Sequence, residues 1–224
     1  MLVLPSRRPS KLIQEPSVTR ASTKPPSKRL QTRDRDVRSA VLKKVLADHV
    51  SDPNALVVEE LGLEHGACRV DIAVINGSIH GYELKSDADT LLRLPQQVLV
   101  YSRALDKATL VVGEKHAQEA VNLIPSWWGL KVSYAGARGA VHIDTVRLAT
   151  TNPEVSAYHV AHLLWRNEAL EILTQLDVEK KELRGSRAKL YSLLTELLPT
   201  VVLREHVRDA LKRRTKWRRP SQPS

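Results

Sequence analysis

Residues 60–101 read ELGLEHGACRVDIAVINGSIHGYELKSDADTLLRLPQQVLVY, and the rest of the chain is organised around this stretch. Two strand-like runs, 70–75 and 79–85, flank Asn76-Gly77, a strong hairpin signal. Asp71 stands at the start of the first run, and Glu83-Leu84-Lys85 closes the second. A helix-like segment then presents Gln97 and Tyr101, four residues apart, on one face.

The register of this hairpin follows from its chemistry. A two-residue turn sets Asp71 opposite Tyr82, with Glu83 facing the other way. A three-residue loop, Asn76-Gly77-Ser78, sets Asp71 opposite Glu83 and leaves Lys85 on the same face. One bulged residue does the same. A three-residue loop or a bulge is therefore expected.

Two carboxylates and an amine converging on one patch of sheet suit metal-dependent phosphodiester hydrolysis, where charge on phosphorus must be stabilised and a water activated. On this expectation Asp71 and Glu83 ligate Mg²⁺ or Mn²⁺, with the Leu84 backbone carbonyl adding an oxygen. Lys85 assists the attacking water, and Glu60, on the preceding strand, completes the catalytic set. Glu-x-Lys by itself carries little information: a second copy, Glu179-Lys180-Lys181, lies in a helical region with no acid on a partner strand and reads as a solvated face.

Upstream, residues 56–63 alternate as a strand, with Val58 and Glu60 on one face and Val57, Glu59 and Leu61 on the other. Val37, Val41 and Val45 recur at helical spacing across 34–50, and Ser51-Asp52-Pro53-Asn54 ends that helix. Downstream, Ser86 and Asp87 are candidate caps for a helix whose apolar face begins at Leu91, Leu92 and Leu94, and Pro95 breaks or restarts it. A buried strand at 107–113 follows, and the strand–helix–strand order implies a parallel pair in a mixed sheet. A helix at 114–124, an aromatic corner at Trp127-Trp128 and strands at 130–134 and 141–148 complete the α/β part.

After Asn152-Pro153 the pattern is wholly helical, with apolar groups at 160–173 and 190–198 and a last helix over 201–214. That helix runs into a basic end in which Arg213, Arg214 and Trp217 are candidate substrate-binding residues, beside Gln97 and Tyr101. His159 and His162, three apart, lack the company of cysteines or acids that a zinc site needs. The expected organisation is a basic disordered arm at 1–33, a core at 34–152, a helical region at 153–219 and a short tail at 220–224.

The chain has 224 residues, a net charge of +10, one cysteine and no phenylalanine. The charge favours an anionic partner, nucleic acid first. The lone Cys68 excludes an internal disulfide and fits a reducing cytoplasm. No apolar run reaches membrane-spanning length, and no phosphate-cradling glycine loop points to ATP.

Asp71 with Glu83-Leu84-Lys85 resembles the PD-(D/E)XK nuclease superfamily, and Gln97-Val98-Leu99-Val100-Tyr101 is similar to the helix motif of its RecB-like and Cas4-like branches. The run RVDIAVINGSIHGYELKSDADTLLRLPQQ, followed by SWWGL, also resembles a bacterial and phage family of small nuclease-like proteins. The resemblance implies a restriction-endonuclease-like mixed central sheet flanked by helices, with the C-terminal helices as an extension. It also implies a metal-dependent nuclease, a hydrolase acting on DNA, of phage or mobile-element origin. Many proteins of that fold dimerise, so a homodimer is one expectation. Two departures stand out: Val70 replaces the proline before Asp71, and the first helix offers no evident glutamate, a gap Glu60 is expected to fill. The alternative reading is a nuclease-like fold that holds nucleic acid or a partner through its basic ends without cutting.

Overall fold

The computed structural model describes residues 30–217. Most of the expected arm, together with Arg218, Arg219 and the tail, lies outside the described residues. A six-stranded mixed sheet runs in the order β1 (Leu56–Leu63), β2 (Cys68–Ile75), β3 (Ile79–Lys85), β4 (Lys107–Gly113), β5 (Gly129–Ala135), β6 (Val141–Arg147). The pairs β1–β2, β2–β3 and β5–β6 are antiparallel. The pairs β3–β4 and β4–β5 are parallel, each bridged by a crossover helix: α3 (Leu94–Ala104) and α4 (Ala117–Leu123). The parallel pair expected from the strand–helix–strand order is present. The apolar run of β4, KATLVVG, is buried from Ala108 onward because helices cover both faces of the sheet there.

One face carries α1 (Asp34–Ala40), a π-helical turn (Val41–Val45) and α2 (Ala47–Ser51), packed through Val37, Val41 and Leu46 onto Val57, Ile72, Val74, Tyr82, Leu84 and Val111. A single regular helix through Val45 was expected, but the structure inserts a π turn. Val41 is fully buried, and the next buried residue is Leu46, five positions on, with Val45 only half-buried. A five-residue step is what an i→i+5 turn supplies, so the turn trades Val45 for the larger Leu46 in the core.

The opposite face carries α3 and the C-terminal helices α5 (Ala157–Ala161), α6 (Arg166–Gln175), α7 (Arg187–Leu197) and α8 (Thr200–Arg213). Their leucines, with Val160, Ile172, Tyr191 and Val207, share one apolar cluster with the sheet residues Val58, Leu61, Val70, Ala73, Leu110 and Val112. That cluster exposes a second correction. Strict alternation puts Leu61 on the face away from Val58, yet both lie in the same cluster. Glu60 has φ +60. This left-handed residue resets the alternation of β1, so the leucines on either side of it point the same way.

Residues 86–93 form turns, not the expected helical start, and α3 begins at Leu94 with Pro95 in its first turn. The proposed caps do other work. Asp87 accepts hydrogen bonds from the Thr32 amide (2.9 Å), the Thr32 hydroxyl (2.8 Å) and the Lys115 amide (3.1 Å). It sits so close over Gly113 that a Cβ there would lie 2.4 Å from its carboxylate oxygen. Ser86 donates through its amide and hydroxyl to Asp89.

Candidate functional site

The β2–β3 ladder pairs Ile75 with Ile79, so the connecting loop is Asn76-Gly77-Ser78. Of the two expected solutions, a three-residue loop or a bulge, the hairpin takes the loop. Pairing continues to Ile72 and Tyr82. One step further, Asp71 stands across from Glu83, and its Oδ2 accepts the Leu84 amide at 2.8 Å. On the other side, the β1–β2 pairs Glu59–Ile72 and Leu61–Val70 bracket Glu60 and Asp71. Glu60, Asp71 and Glu83 thus form one row across three strands, at the point where β1 is kinked.

The row opens into a cleft of about 710 Å³ whose lining includes Glu60, Asp71, Glu83, Lys85, Gln97 and Arg103. Glu83 is 1 % exposed and its carboxylate is fully engaged. Oε1 accepts Lys85 Nζ at 2.6 Å and Gln97 Nε2 at 2.5 Å, while Oε2 meets the Tyr101 hydroxyl. That hydroxyl also lies 2.9 Å from the Arg69 carbonyl oxygen. Gln97 and Tyr101 reach Glu83 together because they share one face of α3. Behind them the Tyr101 ring stacks on Trp128 at 5.5 Å and 17°, and Trp128 packs on Trp127. Both tryptophans are buried, so the aromatic corner is core packing that backs the site.

Asp71 is held by a residue that sequence reasoning missed. Arg38, on α1, donates through Nη2 to Asp71 Oδ1 at 3.2 Å and through Nη1 to the Asp71 carbonyl oxygen at 3.0 Å. Its guanidinium also lies 3.7 Å from Glu59 and 3.8 Å from Glu60. No sequence signal marks Arg38 among the other basic residues of its helix. Burial, and then the charge of Glu83, push the Asp71 carboxyl up to about 7, against the pull of the Leu84 amide, Arg38 and Lys85. Burial and Glu83 likewise raise Tyr101 well above the ordinary phenol range.

Every oxygen of Asp71 and Glu83 faces a protein donor, so a divalent cation bound here would share these oxygens with Arg38, Lys85, Tyr101 and the Leu84 amide. Leu84 meets Asp71 through its amide. Among the described residues no group of three His, Cys, Asp or Glu side chains is arranged to hold a metal. His159 and His162 do meet an acid, since both imidazoles contact Glu64, at 3.5 and 3.0 Å.

The other candidate binding residues lie away from the cleft. Arg214 is buried: its guanidinium donates to both oxygens of Glu168 at 2.7 and 2.6 Å and to the Leu163 carbonyl oxygen at 2.7 Å. It also packs over the rings of Trp165 (4.2 Å) and Trp217 (5.3 Å). Trp217 is half-buried and donates through Nε1 to the Leu211 carbonyl oxygen. Arg214 therefore joins the chain end to α6, and only Arg213, exposed and 3.6 Å from Glu171, is presented to solvent.

Fold and site together define a mixed α/β protein whose sheet carries an internally neutralised acidic row. The chain belongs to the bacteriophage P4 protein cII family, whose profile matches residues 27–221. It is similar to Protein cII of Enterobacteria phage P4, at 24 % identity over 125 residues, 56 % of this chain and 47 % of that protein. The chain thus spans about half the length of this curated relative. No solved structure matches. These findings correct the reading of the chain as an enzyme. The family is that of a phage cII protein and not a nuclease family, so the assignments of deoxyribonuclease, endonuclease and hydrolase fall. Phage kinship stands. No helix among the described residues is long and apolar enough to cross a membrane.

Proposed function

We propose that the protein is a nucleic-acid-binding regulator of a phage or phage-derived element, built on a restriction-endonuclease-like sheet that does not cut. The observation that carries this reading is the Arg38 guanidinium seated against Asp71, Glu59 and Glu60. With Lys85 on Glu83, it turns the acidic row into a fastening between α1, the sheet and α3. Membership in the phage P4 cII family supports a regulatory role over an enzymatic one.

Charge available to a polyanion lies in the cleft lining, where Arg69, Arg93 and Arg103 are exposed, and also away from it. Lys180, Lys181, Arg184, Arg187 and Lys189 are exposed around the turn Glu182–Arg184 and the start of α7, and Lys212, Arg213 and Lys216 are exposed at the end of α8. With a net charge of +10, these residues suit phosphate contacts driven by counterion release. The lone half-buried Cys68 suits a reducing cytoplasm.

The test is a fluorescence-anisotropy titration of labelled DNA and RNA at several salt concentrations. Binding whose logarithm falls linearly with the logarithm of salt is expected. Absence of such binding to either nucleic acid overturns the reading.

A further inference from the structure

The β1–β2 connection is folded against its own backbone preferences. Glu64 (φ 47) and His65 (φ 58) follow one another in the left-handed region, with Gly66 (φ 93) next. Each non-glycine residue there costs about 1–2 kcal/mol, and such strain persists only where the surroundings hold it. Here the Glu64 carboxylate is held between His159 of α5 and His162, the residue that follows α5.

The strained turn delivers the His65 ring onto the C-terminal helices. It stacks on His162 at 4.8 Å and 25° and on Tyr191 at 5.8 Å and 21°. Those two rings are themselves only 5.0 Å apart. On opposite faces of His65 their separation would approach the sum of the two stacking distances, so both lie on one side of the imidazole. His65 is exposed, and no aromatic ring among the described residues meets its other face. Arg187, exposed in the first turn of α7, lies within electrostatic reach of His65 and of Tyr191. Burial and the Arg187 charge hold the His65 imidazole below its usual pKa, so at neutral pH the ring is uncharged. Stacking, not charge, is what it has to offer.

We propose that His65, backed by His162 and Tyr191, is a stacking platform for one unpaired nucleobase, with Arg187 beside it to receive the adjoining phosphate. The proposal rests on the nucleic-acid-binding reading above and names the strand type that this surface takes. A flat ring with one open face matches the face of a base, and base faces are available in single strands and loops but hidden in a duplex. The platform stands at the rim of the acidic cleft, which Glu64 and Gly66 help to line.

The test compares the full chain with His65→Asn, His65→Tyr and Arg187→Ala, using a labelled single-stranded 12-mer and the same sequence as a duplex. Asparagine tolerates the left-handed backbone and removes the ring. His65→Asn gives up two ring contacts, so a melting temperature lowered by no more than about 5 °C, with the far-UV circular dichroism unchanged, is expected. Single-strand affinity should fall about tenfold in His65→Asn, the worth of one stacked base, with duplex affinity unchanged. His65→Tyr should retain the single-strand affinity. Arg187→Ala should reduce the salt slope by about one. Salt-sensitive binding that His65→Asn leaves unchanged, or weakens equally for both strand types, overturns the platform and leaves the wider reading standing. No binding by the unaltered chain to either oligonucleotide overturns both.

Discussion

Arg38 grips Asp71 twice, at its carboxylate (3.2 Å) and at its own backbone carbonyl (3.0 Å). Two parallel donations to one residue are a fork that only a guanidinium makes. The contact joins α1 to β2 where the β2–β3 ladder stops and Asp71 takes the Leu84 amide. Arg38→Ala should lower the unfolding free energy by about 2 kcal/mol, the scale of hydrogen bonds to a charged group. Arg38→Lys should recover only part of this. In urea titrations the Arg38→Ala/Asp71→Ala double variant should lose less than the sum of the single losses. Strict additivity would mean that the two side chains do not support one another.

Tyr101 is fully buried, with its hydroxyl between Glu83 and the Arg69 carbonyl. Tyr101→Phe keeps the stack on Trp128 and deletes the hydroxyl, leaving a buried carboxylate oxygen without its partner. The expected loss is about 2 kcal/mol, read as a lower urea midpoint with an unchanged slope.

The two arginines that end α8 should behave differently, although the sequence presents them as one basic run. Arg214 and Glu168 are 7 % and 9 % exposed. Arg214→Ala leaves the buried Glu168 carboxylate with only the Trp165 amide and should cost about 3 kcal/mol. Arg213 and Glu171 are more than half exposed, and Arg213→Ala should leave stability essentially unchanged. The same alanine at 213 should lower the salt slope of nucleic-acid binding. Thermal melts and anisotropy titrations on the same samples separate the two effects.

Stability should respond to pH through groups of opposite sign. His80 is half-buried against Thr109 and Tyr82, and desolvation followed by Lys107 pushes its pKa down to about 3. Burial also lowers His65 and His159. These imidazoles bind fewer protons folded than unfolded. Their contribution is complete above the unfolded value of about 6.5 and is lost as pH falls below it. Asp71, raised to about 7, works in reverse: its contribution is complete below the ordinary carboxylate value and is lost as pH rises through about 7. In urea midpoints measured from pH 4 to pH 8, His80→Gln should flatten the acid side. Asp71→Asn should flatten the neutral side.

Much of the acidic row was legible from sequence, because hairpin offsets are few and only one class of them aligns Asp71 with Glu83. Gln97 and Tyr101 were legible as a pair because four residues make about one helical turn. Arg38 was not: a basic residue on a helix face looks alike whether it meets solvent or a carboxylate 33 positions away. The flip at Glu60 was equally hidden, since no glycine marks the left-handed residue. Arg214 was read as a surface cation because its partner Glu168 lies 46 residues earlier in the chain.

Local pattern by itself determined the order of the strands, the hairpin turn after Ile75, the parallel crossover and the positive balance of the chain. These follow from periodicities of two and 3.6 residues and from a count of charges. Only the tertiary structure decided what the charges face. Whether a carboxylate is open to a ligand or closed by an arginine depends on which helix packs over it, and helix packing is settled by the whole apolar core. The stack of His65 on His162 and Tyr191 arose in the same way, from three segments that meet only once the C-terminal helices lie on the sheet.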